Sequence, residues 1–330
     1  MEKPLVTISM ITYNQERYVR DAVRGALAQT YDPLEIVISD DCSTDSTWDI
    51  IRDEVEAYRK SGGIHKNIVL NRNEKNLGII RHCQEQSGRA HGVLRVGNAG
   101  DDISMPNRVE RIVEAWEAAG RKATVICHAW QSIDADNNVL QEKEGPWRIE
   151  CILGAAAAYS MSALRHFPHT TVVGAFEDHV FMVRALCFGT YLMIDDVLVK
   201  YRIGSGVTSS STYRLNRLRV AIGSLKSVEQ SQIDIDYVKD VIDRDRLDEV
   251  RKILKWEVAN YEPERMVCGG RGMMERIRGL FAMRRHGGWR CSPRVYWGKF
   301  VPCVLPNVIA DFVISLPTKI KRFVAHLCRR

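Results

Sequence analysis

The sequence lacks a paired-cysteine motif, a secretion signal and any long uninterrupted apolar run. Its nine cysteines are scattered without a C-x-x-C pair, which is typical of reduced thiols and argues against a disulfide framework or a zinc site. The amino terminus, MEKPLVTIS, is too polar for a signal peptide. The segment Phe300–Leu316 is about as short as a spanning helix can be, and Pro302, Pro306 and Asp311 interrupt it. We therefore expect a cytoplasmic protein without a membrane span.

The chain is also poor in acidic residues towards its carboxyl terminus. Its composition, 45% hydrophobic and 27% charged, is that of a globular protein, and its net charge is +6. Residues 265–330 carry 14 Lys and Arg against 2 acidic residues, so the remainder of the chain is acidic. Leu, Phe and Trp interleave with arginine at 277–290 and 319–330, which favours an anionic membrane surface as partner. A solvated basic face and an oligomer contact remain alternatives; no nucleic-acid motif occurs, so nucleic acid is not expected.

The first two hundred residues alternate between strand and helix patterns. Apolar and β-branched runs predict strands at 5–12, 34–39, 68–70, 93–96, 124–128 and 197–202. Helical spacing predicts a helix that Asn14 can cap, and further helices from 43–45 to 58, at 81–90 and at 108–119. This alternation predicts an α/β fold with a mostly parallel sheet. Residues 213–261 are predicted to be helical.

Acidic pairs follow two of the predicted strands. Asp40-Asp41 and Asp101-Asp102 stand where strands end, and ligands bind beyond the carboxyl ends of parallel strands. Pro106 suits a first helical turn, which places the cap at Ser104 or Met105 and leaves Asp101-Asp102 without a capping role. A third acidic pair, Glu177-Asp178, opens an apolar helical pattern.

These carboxylates favour a hard divalent cation, Mg²⁺ or Mn²⁺. The chain has no G-x-x-x-x-G-K-[ST] loop and no G-x-G-x-x-G after its first strand. If a nucleotide binds, its phosphates would be neutralised mainly by a metal ion held on carboxylates. The purely structural alternatives to a ligand-binding role are turn formation for Asp40-Asp41 and a favourable helix start for Glu177-Asp178.

Several motifs occur together in the order of a known family. They are PLVTISMITYNQERYVRDAVRGALAQTYDPLEIVISDDCSTDST, Asn76-Leu77-Gly78, the segment Gly100–Arg108 (GDDISMPNR) and Phe176-Glu177-Asp178. This set, over roughly residues 4–210, resembles the family 2 inverting glycosyltransferases. The resemblance implies a GT-A fold, which is a Rossmann-like, mostly parallel sheet flanked by helices.

The resemblance also implies roles for individual residues. Thr12, Tyr13, Asp40 and Asp41 would form the nucleoside site, with Tyr13 against the base, Asp41 accepting from its imide N–H and Asp40 supporting the loop. Asp101 would face the ribose, Asp102 would hold the metal, and Asp178, beside Glu177, would be the catalytic base. We also assign Arg202 to the diphosphate.

Two departures from the family pattern stand out. The family often has a histidine shortly after its late Tyr-Arg, whereas Tyr201-Arg202 is followed here by Ile203-Gly204. Arg95 lies in a strand that is usually apolar, and the neutral Asn98-Ala99-Gly100 leads into the acidic pair. These departures keep a non-catalytic nucleotide-sugar binding protein as an alternative. A nucleotidyltransferase is less favoured, because residues 10–20 lack a glycine-rich basic loop.

The sequence thus predicts a metal-dependent inverting glycosyltransferase using a nucleoside diphosphate sugar, with a UDP-sugar favoured. Residues 1–211 would form the GT-A domain, with a donor half (1–130) and an acceptor half (131–211). Residues 212–330 would form a helical region, basic from about 265, that contacts a membrane surface or another subunit. The acceptor would be lipid-linked or an oligosaccharide, in bacterial surface polysaccharide assembly, with the protein peripheral on the inner face of the plasma membrane.

Overall fold

The computed structural model describes residues 2–65, 67–145, 149, 152–204, 213–285, 300–305 and 307–315. In these residues nine strands form one sheet, in the order β3-β2-β1-β4-β8-β6-β9-β5, with β7 added on β6. The strands are β1 Val6–Thr12, β2 Leu34–Asp40, β3 Asn67–Arg72, β4 Leu94–Ala99, β5 Ile103–Ser104, β6 Ala123–Ile133, β7 Val139–Glu144, β8 Ala157–Ser160 and β9 Thr190–Arg202.

Most of the sheet is parallel, as the sequence predicts. Strands β1 to β4, β6 and β9 run in one direction, and β5, β7 and β8 run against it. Thr12 pairs with Asp40 across β1 and β2, and Ile133 pairs with Arg202 across β6 and β9. The carboxyl ends of the parallel strands therefore share one edge, where the strand-end acids lie.

Helices cover the sheet and bury its apolar side chains. They are α1 Val19–Leu27, α2 Thr47–Lys60, α3 Ile79–Arg89, α4 Arg108–Ala118, α5 Met161–Leu164, α6 Glu177–Leu186, α7 Tyr213–Val238, α8 Arg244–Gly269, α9 Met273–Arg285 and α10 Asn307–Ser315. Short 3-10 turns lie at Gly154–Ala156 and Val301–Val304. The main core joins β1, β2 and β4 to the inner faces of α1, α2 and α4, because the apolar residues of these helices recur at helical spacing.

The predicted caps of α1 and α4 differ from the structure. Asn14 does not cap α1, which begins at Val19; Asn14 has a φ of 49° and its Oδ1 accepts from Thr44 N at 2.8 Å instead. Ser104 does not cap α4, whose first residue is Arg108. Strand pairing overrides the local capping preference there, because the Ile103–Ser104 backbone pairs with β9.

The chain divides into two compact units. The first comprises Met1–Gly206 and Glu229–Val250, and the second comprises Val207–Val228 and Arg251–Arg330. The predicted division into 1–211 and 212–330 stays a proposal. No helix among the described residues is both long and apolar enough to span a bilayer. The basic segment 319–330 and the loop 205–211 lie outside the described residues.

Candidate active site

Asp40 lies at the end of β2 and organises the loop that follows. Its side chain is fully buried and accepts from Ser43 N at 2.9 Å and from Thr12 Oγ1 at 3.2 Å. Ser43 Oγ also donates to Asp40 Oδ1, and Arg72 Nε lies 3.5 Å from Oδ2. The carboxylate is thus surrounded by protein donors that join the ends of β1 and β2.

The next residue, Asp41, is bound by the segment that carries Asn76-Leu77-Gly78. The Asp41 carboxylate accepts from Leu77 N at 2.9 Å, Gly78 N at 3.0 Å and Asn73 Nδ2 at 2.8 Å. Gly78 has a φ of +77°, a conformation that glycine adopts without steric cost. Strand β1 pairs with β2, and Tyr13, directly after β1, is 46% exposed, so its ring is available for stacking on a base.

Asp101 and Asp102 lie between β4 and β5, and both are almost fully buried. Asp102 Oδ1 accepts from the backbone N–H of Arg202 at 2.8 Å, which links this loop to the end of β9. Burial and the neighbouring charge of Asp101 raise the pKa of Asp102 well above its usual value, while the Arg202 N–H and the Arg108 charge oppose the rise.

The Arg202 guanidinium is directed towards protein acceptors in this structure. Its Nε donates to Asp101 O at 3.0 Å, Nη2 donates to Asn137 Oδ1 at 2.6 Å and Nη1 donates to Asp134 O. The guanidinium also lies 4.5 Å from the ring centroid of Tyr18, a cation–π contact. Arg202 thereby holds the Asp101–Asp102 loop, and its assignment to a diphosphate stays a prediction.

The Asp101–Asp102 pair suits a divalent cation that is shared with a ligand. Burial and, after it, the charge of Asp101 disfavour the ionised Asp102, and a bound cation would offset both effects. The described residues contain no group of three or more His, Cys, Asp or Glu side chains arranged to hold a metal by themselves. One or two carboxylates, completed by phosphate oxygens and water, is the usual environment of Mg²⁺. The residues present therefore fit a cation site in which the protein provides one or two carboxylate ligands, and a bound phosphate and water provide the others.

Glu177 and Asp178 begin α6. Asp178 Oδ1 accepts from His179 N at 2.8 Å, and both side chains are half-buried. Burial and the Asp178 charge raise the pKa of Glu177 from 4.5 to about 7. A raised pKa favours the protonated form of Glu177.

Tyr201 connects the two acidic pairs. Burial raises the pKa of its phenol, and the charges of Asp102, Asp101, Asp178 and Glu177, in that order, raise it further. The phenol thus lies in the field of four carboxylates from β4–β5 and α6. The fold has brought these two acidic pairs, about 75 residues apart in sequence, close enough for their charges to act on one phenol.

Arg95 is a buried cation next to α6, the helix that begins with Glu177 and Asp178. Its side chain is 3% exposed, its Nε donates to Ser9 Oγ at 2.9 Å and its guanidinium lies 5.3 Å from the centroid of the Phe181 ring. Phe181 is one helical turn after Glu177 on α6, so the buried cation packs on the helix that carries the acidic pair.

Several residues of the site were not found by sequence reasoning. Tyr18, Asn137 and Gly154 contribute through a ring face, a turn side chain and a close backbone approach, and single residues of these types have no diagnostic spacing. Arg108 was visible as the last residue of the GDDISMPNR segment, but its contacts were not predictable from the segment alone.

Comparison with known proteins places these features in a family. The glycosyl transferase family 2 model matches residues 7–171. An uncharacterized glycosyltransferase of Haemophilus influenzae is 25% identical over 272 residues, covering 70% of this chain and 80% of the relative. A Rickettsia felis relative, also an uncharacterized glycosyltransferase, is 29% identical over 149 residues, which are 42% of this chain but 21% of that protein.

Solved structures show the same fold. The mannosyltransferase PcManGT from Pyrobaculum calidifontis, in complex with GDP-Man and Mn²⁺, has a TM-score of 0.58 and 15% identity, covering 86% of this chain and 76% of that one. S. aureus TarS 1-349 in complex with UDP-GlcNAc has a TM-score of 0.57 and 14% identity, covering 94% and 89%. The α/β sheet, the order of its strand-end acids and the matched half of the chain agree: this protein belongs to glycosyl transferase family 2 and has the GT-A fold.

Proposed function

We propose that the protein is an inverting glycosyltransferase that moves a sugar from a nucleoside diphosphate sugar to an acceptor hydroxyl, and that its preferred donor is a UDP-sugar. The observation that carries the proposal is that Asp101, Asp102, Glu177 and Asp178 all act electrostatically on the Tyr201 phenol. Asp101 and Asp102 follow β4, which pairs with the strand β1 that leads to Tyr13. The ligands named in the two solved structures, UDP-GlcNAc and GDP-Man, support a nucleotide-sugar donor.

Asp178 is the proposed general base. A direct displacement at the anomeric carbon requires removal of the acceptor hydroxyl proton, a step that a positioned base accelerates about a hundred- to ten-thousand-fold. Glu177, with its raised pKa, adds less than a full negative charge beside Asp178 near neutral pH. A single displacement by the activated hydroxyl inverts the anomeric centre, and the bond to the diphosphate oxygen breaks.

Asp102, with Asp101, would hold Mn²⁺ or Mg²⁺. When bound, such a cation stabilises the charge on the departing diphosphate as a Lewis acid. The chain's own contribution is to hold the carboxylates in place through the Arg202 backbone and guanidinium contacts. The Mn²⁺ in the mannosyltransferase structure supports the choice of ion.

A non-catalytic nucleotide-sugar binder is the second candidate, favoured by Ile203-Gly204 where the family often has a histidine. A nucleotidyltransferase is not favoured, because the family model that matches residues 7–171 describes glycosyl transferases.

Donor hydrolysis separates the enzyme from the binder. We expect wild-type protein with Mn²⁺ to release UDP or GDP from UDP-GlcNAc or GDP-mannose. Asp178→Asn should lower this rate at least a hundredfold with little change in UDP affinity, since Asp178 acts on the attacking hydroxyl. Asp102→Asn should instead remove the Mn²⁺-dependent part of UDP binding, measured as a thermal shift. Wild-type protein that binds both donors without turnover, across oligosaccharide acceptors, would be a binder.

We further propose that α9 contacts an anionic membrane on the inner face of the plasma membrane, where a lipid-linked acceptor of surface polysaccharide assembly would lie; an oligosaccharide acceptor is the alternative. Met274 and Phe281 are 64% and 62% exposed and lie two turns apart, with exposed Arg278 between them. The opposite face is packed, because Gly279 lies against Pro263 and Met266. An exposed helix face that mixes large apolar side chains with arginine matches the charge and polarity of anionic headgroups.

A further inference from the structure

Arg108, the first residue of α4, is a fully buried arginine whose partners are all neutral. Among the described residues no carboxylate forms an ion pair with it. Its guanidinium donates five hydrogen bonds: to His128 Nε2 (3.0 Å), Ser104 Oγ (2.9 Å), Asn98 Oδ1 (3.3 Å), Gly97 O (2.8 Å) and Ala155 O (2.7 Å). Burying an arginine without an ion pair is costly, so the arrangement requires an explanation.

Two of these contacts enclose the Asp101–Asp102 loop. Asn98 precedes the pair and Ser104 follows it, and Arg108 Nη1 binds both. Ser104 Oγ also donates to Asn98 Oδ1 at 2.9 Å, which closes the base of the loop. The donor-side carboxylates are therefore held on a loop whose two ends are joined through one guanidinium.

The contact to Ala155 reaches the other acidic pair. Ala155 lies in the turn Gly154–Ala156, and a Cβ on Gly154 would lie 3.0 Å from Glu177 Oε1 and 3.2 Å from Asp178 Cβ. The turn thus packs directly against the start of α6. Arg108 Nη2 donates to Gly97 O and to Ala155 O at once, so it joins β4 to this turn.

His128 is the fifth partner and acts as a neutral acceptor. Its Nδ1–H donates to Ala129 O at 2.8 Å, which leaves Nε2 to accept from Arg108 Nε. Burial, followed by the Arg108 charge, holds the pKa of His128 well below its usual value, so the ring stays neutral.

We propose that Arg108 is a positioning residue that fixes the Asp101–Asp102 loop relative to the turn supporting Glu177 and Asp178, and so sets the distance between the donor site and the base. The catalytic consequence rests on the proposed function, whereas the structural coupling does not. Misplacement of reacting groups by about 1 Å can cost a hundredfold in rate.

Hydrogen exchange of the ligand-free protein tests the coupling directly. Arg108→Lys keeps a charge on a single nitrogen, which cannot reach both Asn98 and Ala155. We expect faster amide exchange both at 98–104 and at 153–157, with β2 unchanged. His128→Gln changes only one of the five partners of Arg108, so it should raise amide exchange in the same two segments by less than Arg108→Lys does. It is the variant to measure if Arg108→Lys folds poorly. The control is Arg111→Lys on the same helix, because Arg111 is exposed and pairs with Glu114 and Asp196.

Donor hydrolysis tests the catalytic consequence. With Mn²⁺ and whichever of UDP-GlcNAc and GDP-mannose the wild type hydrolyses, Arg108→Lys should lower kcat at least tenfold. It should raise KM less than Asp102→Asn does, because it removes no donor-binding side chain. Unchanged exchange in either segment, or a lowered Tm with wild-type kcat and KM, would overturn the proposal. If the wild type binds both donors without turnover across oligosaccharide acceptors, the proposed function fails, and the exchange result alone still decides the coupling.

Discussion

At the residue scale, the neutral segment before Asp101 is explained by close contacts. Gly97 is on β4, where a Cβ would lie 2.6 Å from Gly154 O. A Cβ on Gly100 would meet Thr12 Cγ2 at 2.7 Å and also the Gln15 side chain. Asn98 accepts from Ser104 and Arg108. Gly97 and Gly100 leave no room for a side chain, and Asn98 provides an acceptor, because other segments approach these positions. No local pattern in the sequence reveals those approaches.

Gly97→Ala should therefore destabilise the protein. The added methyl group would meet a backbone carbonyl that can move only with the Gly154 turn, so we expect a loss of about 1–3 kcal/mol in the free energy of unfolding. Gly88→Ala in α3 is the matched control, since a Cβ there meets nothing within 4 Å; it should stabilise by about 0.5–1 kcal/mol. Urea denaturation measures both, and equal effects of the two changes would contradict the steric explanation.

Glu177 gives a pH dependence of stability. Burial, with the Asp178 charge, raises its pKa from 4.5 to about 7 in the folded protein, so the folded state binds the proton more tightly than the unfolded chain. Its contribution to stability is complete below pH 4.5 and is lost as pH rises through 7. The wild type should therefore lose about 1–3 kcal/mol relative to Glu177→Gln between pH 5 and pH 8. Denaturation of both proteins across this range is the measurement, and a constant difference would show that the pKa is not raised.

At the element scale, α6 is held by α7 through a buried ion pair. Arg184 and Asp234 form two hydrogen bonds of 2.7 and 2.8 Å, and both side chains are almost fully buried. Gln230 on α7 donates to Asp234 and accepts from Thr171 N and Val172 N. The helix that begins with the acidic pair, and the loop before it, are thus held by residues some 50 positions later in the chain.

Asp234→Ala should cost about 3–5 kcal/mol of unfolding free energy, because it leaves the buried Arg184 charge without its partner. Asp136→Ala is the control: it breaks the Arg17–Asp136 ion pair, whose side chains are 61% and 73% exposed, and should cost about 0–1 kcal/mol. Guanidinium denaturation compares them. Comparable losses for the two variants would mean that the buried pair does not stabilise α6.

At the scale of the whole molecule, charge is distributed unevenly. The chain has a net charge of +6 and a pI of about 8.8, yet the positive excess comes from residues 265–330. An attraction to anionic lipid that arises from this region should be screened by salt, while the apolar contacts of α9 should not.

Vesicle binding by the full-length protein tests both contributions. Binding to phosphatidylserine-containing vesicles should exceed binding to neutral vesicles and should weaken severalfold from about 0.1 M to 0.5 M salt. Met274→Ser with Phe281→Ser should weaken it further. Val173→Ser, at a residue that is 84% exposed elsewhere, should leave it unchanged. Equal binding to neutral and anionic vesicles would exclude the proposed surface.

The sequence by itself determined the α/β class, the parallel strands of the first half and the placement of Asp40, Asp41, Asp101 and Asp102 after strands. These features follow from short-range periodicity and from the rule that parallel strands end at one edge. The ordered motifs also sufficed to indicate the family. The start of α4 at Arg108 agrees with the predicted helix 108–119. The predicted caps of α1 and α4 were wrong, because Asn14 binds Thr44 and Ile103–Ser104 pairs with β9.

Only the tertiary structure decided that the pKa of Glu177 is raised, and which groups surround it. Burial sets that pKa, and burial depends on the Gly154 turn and on α6 packing rather than on neighbours in sequence. The same holds for Arg108, whose five acceptors come from β4, β5, β6 and a distant turn. Local sequence patterns indicate which residues can form a helix or a strand. The electrostatic field and the contacts at a site come from several segments that meet only in the folded chain.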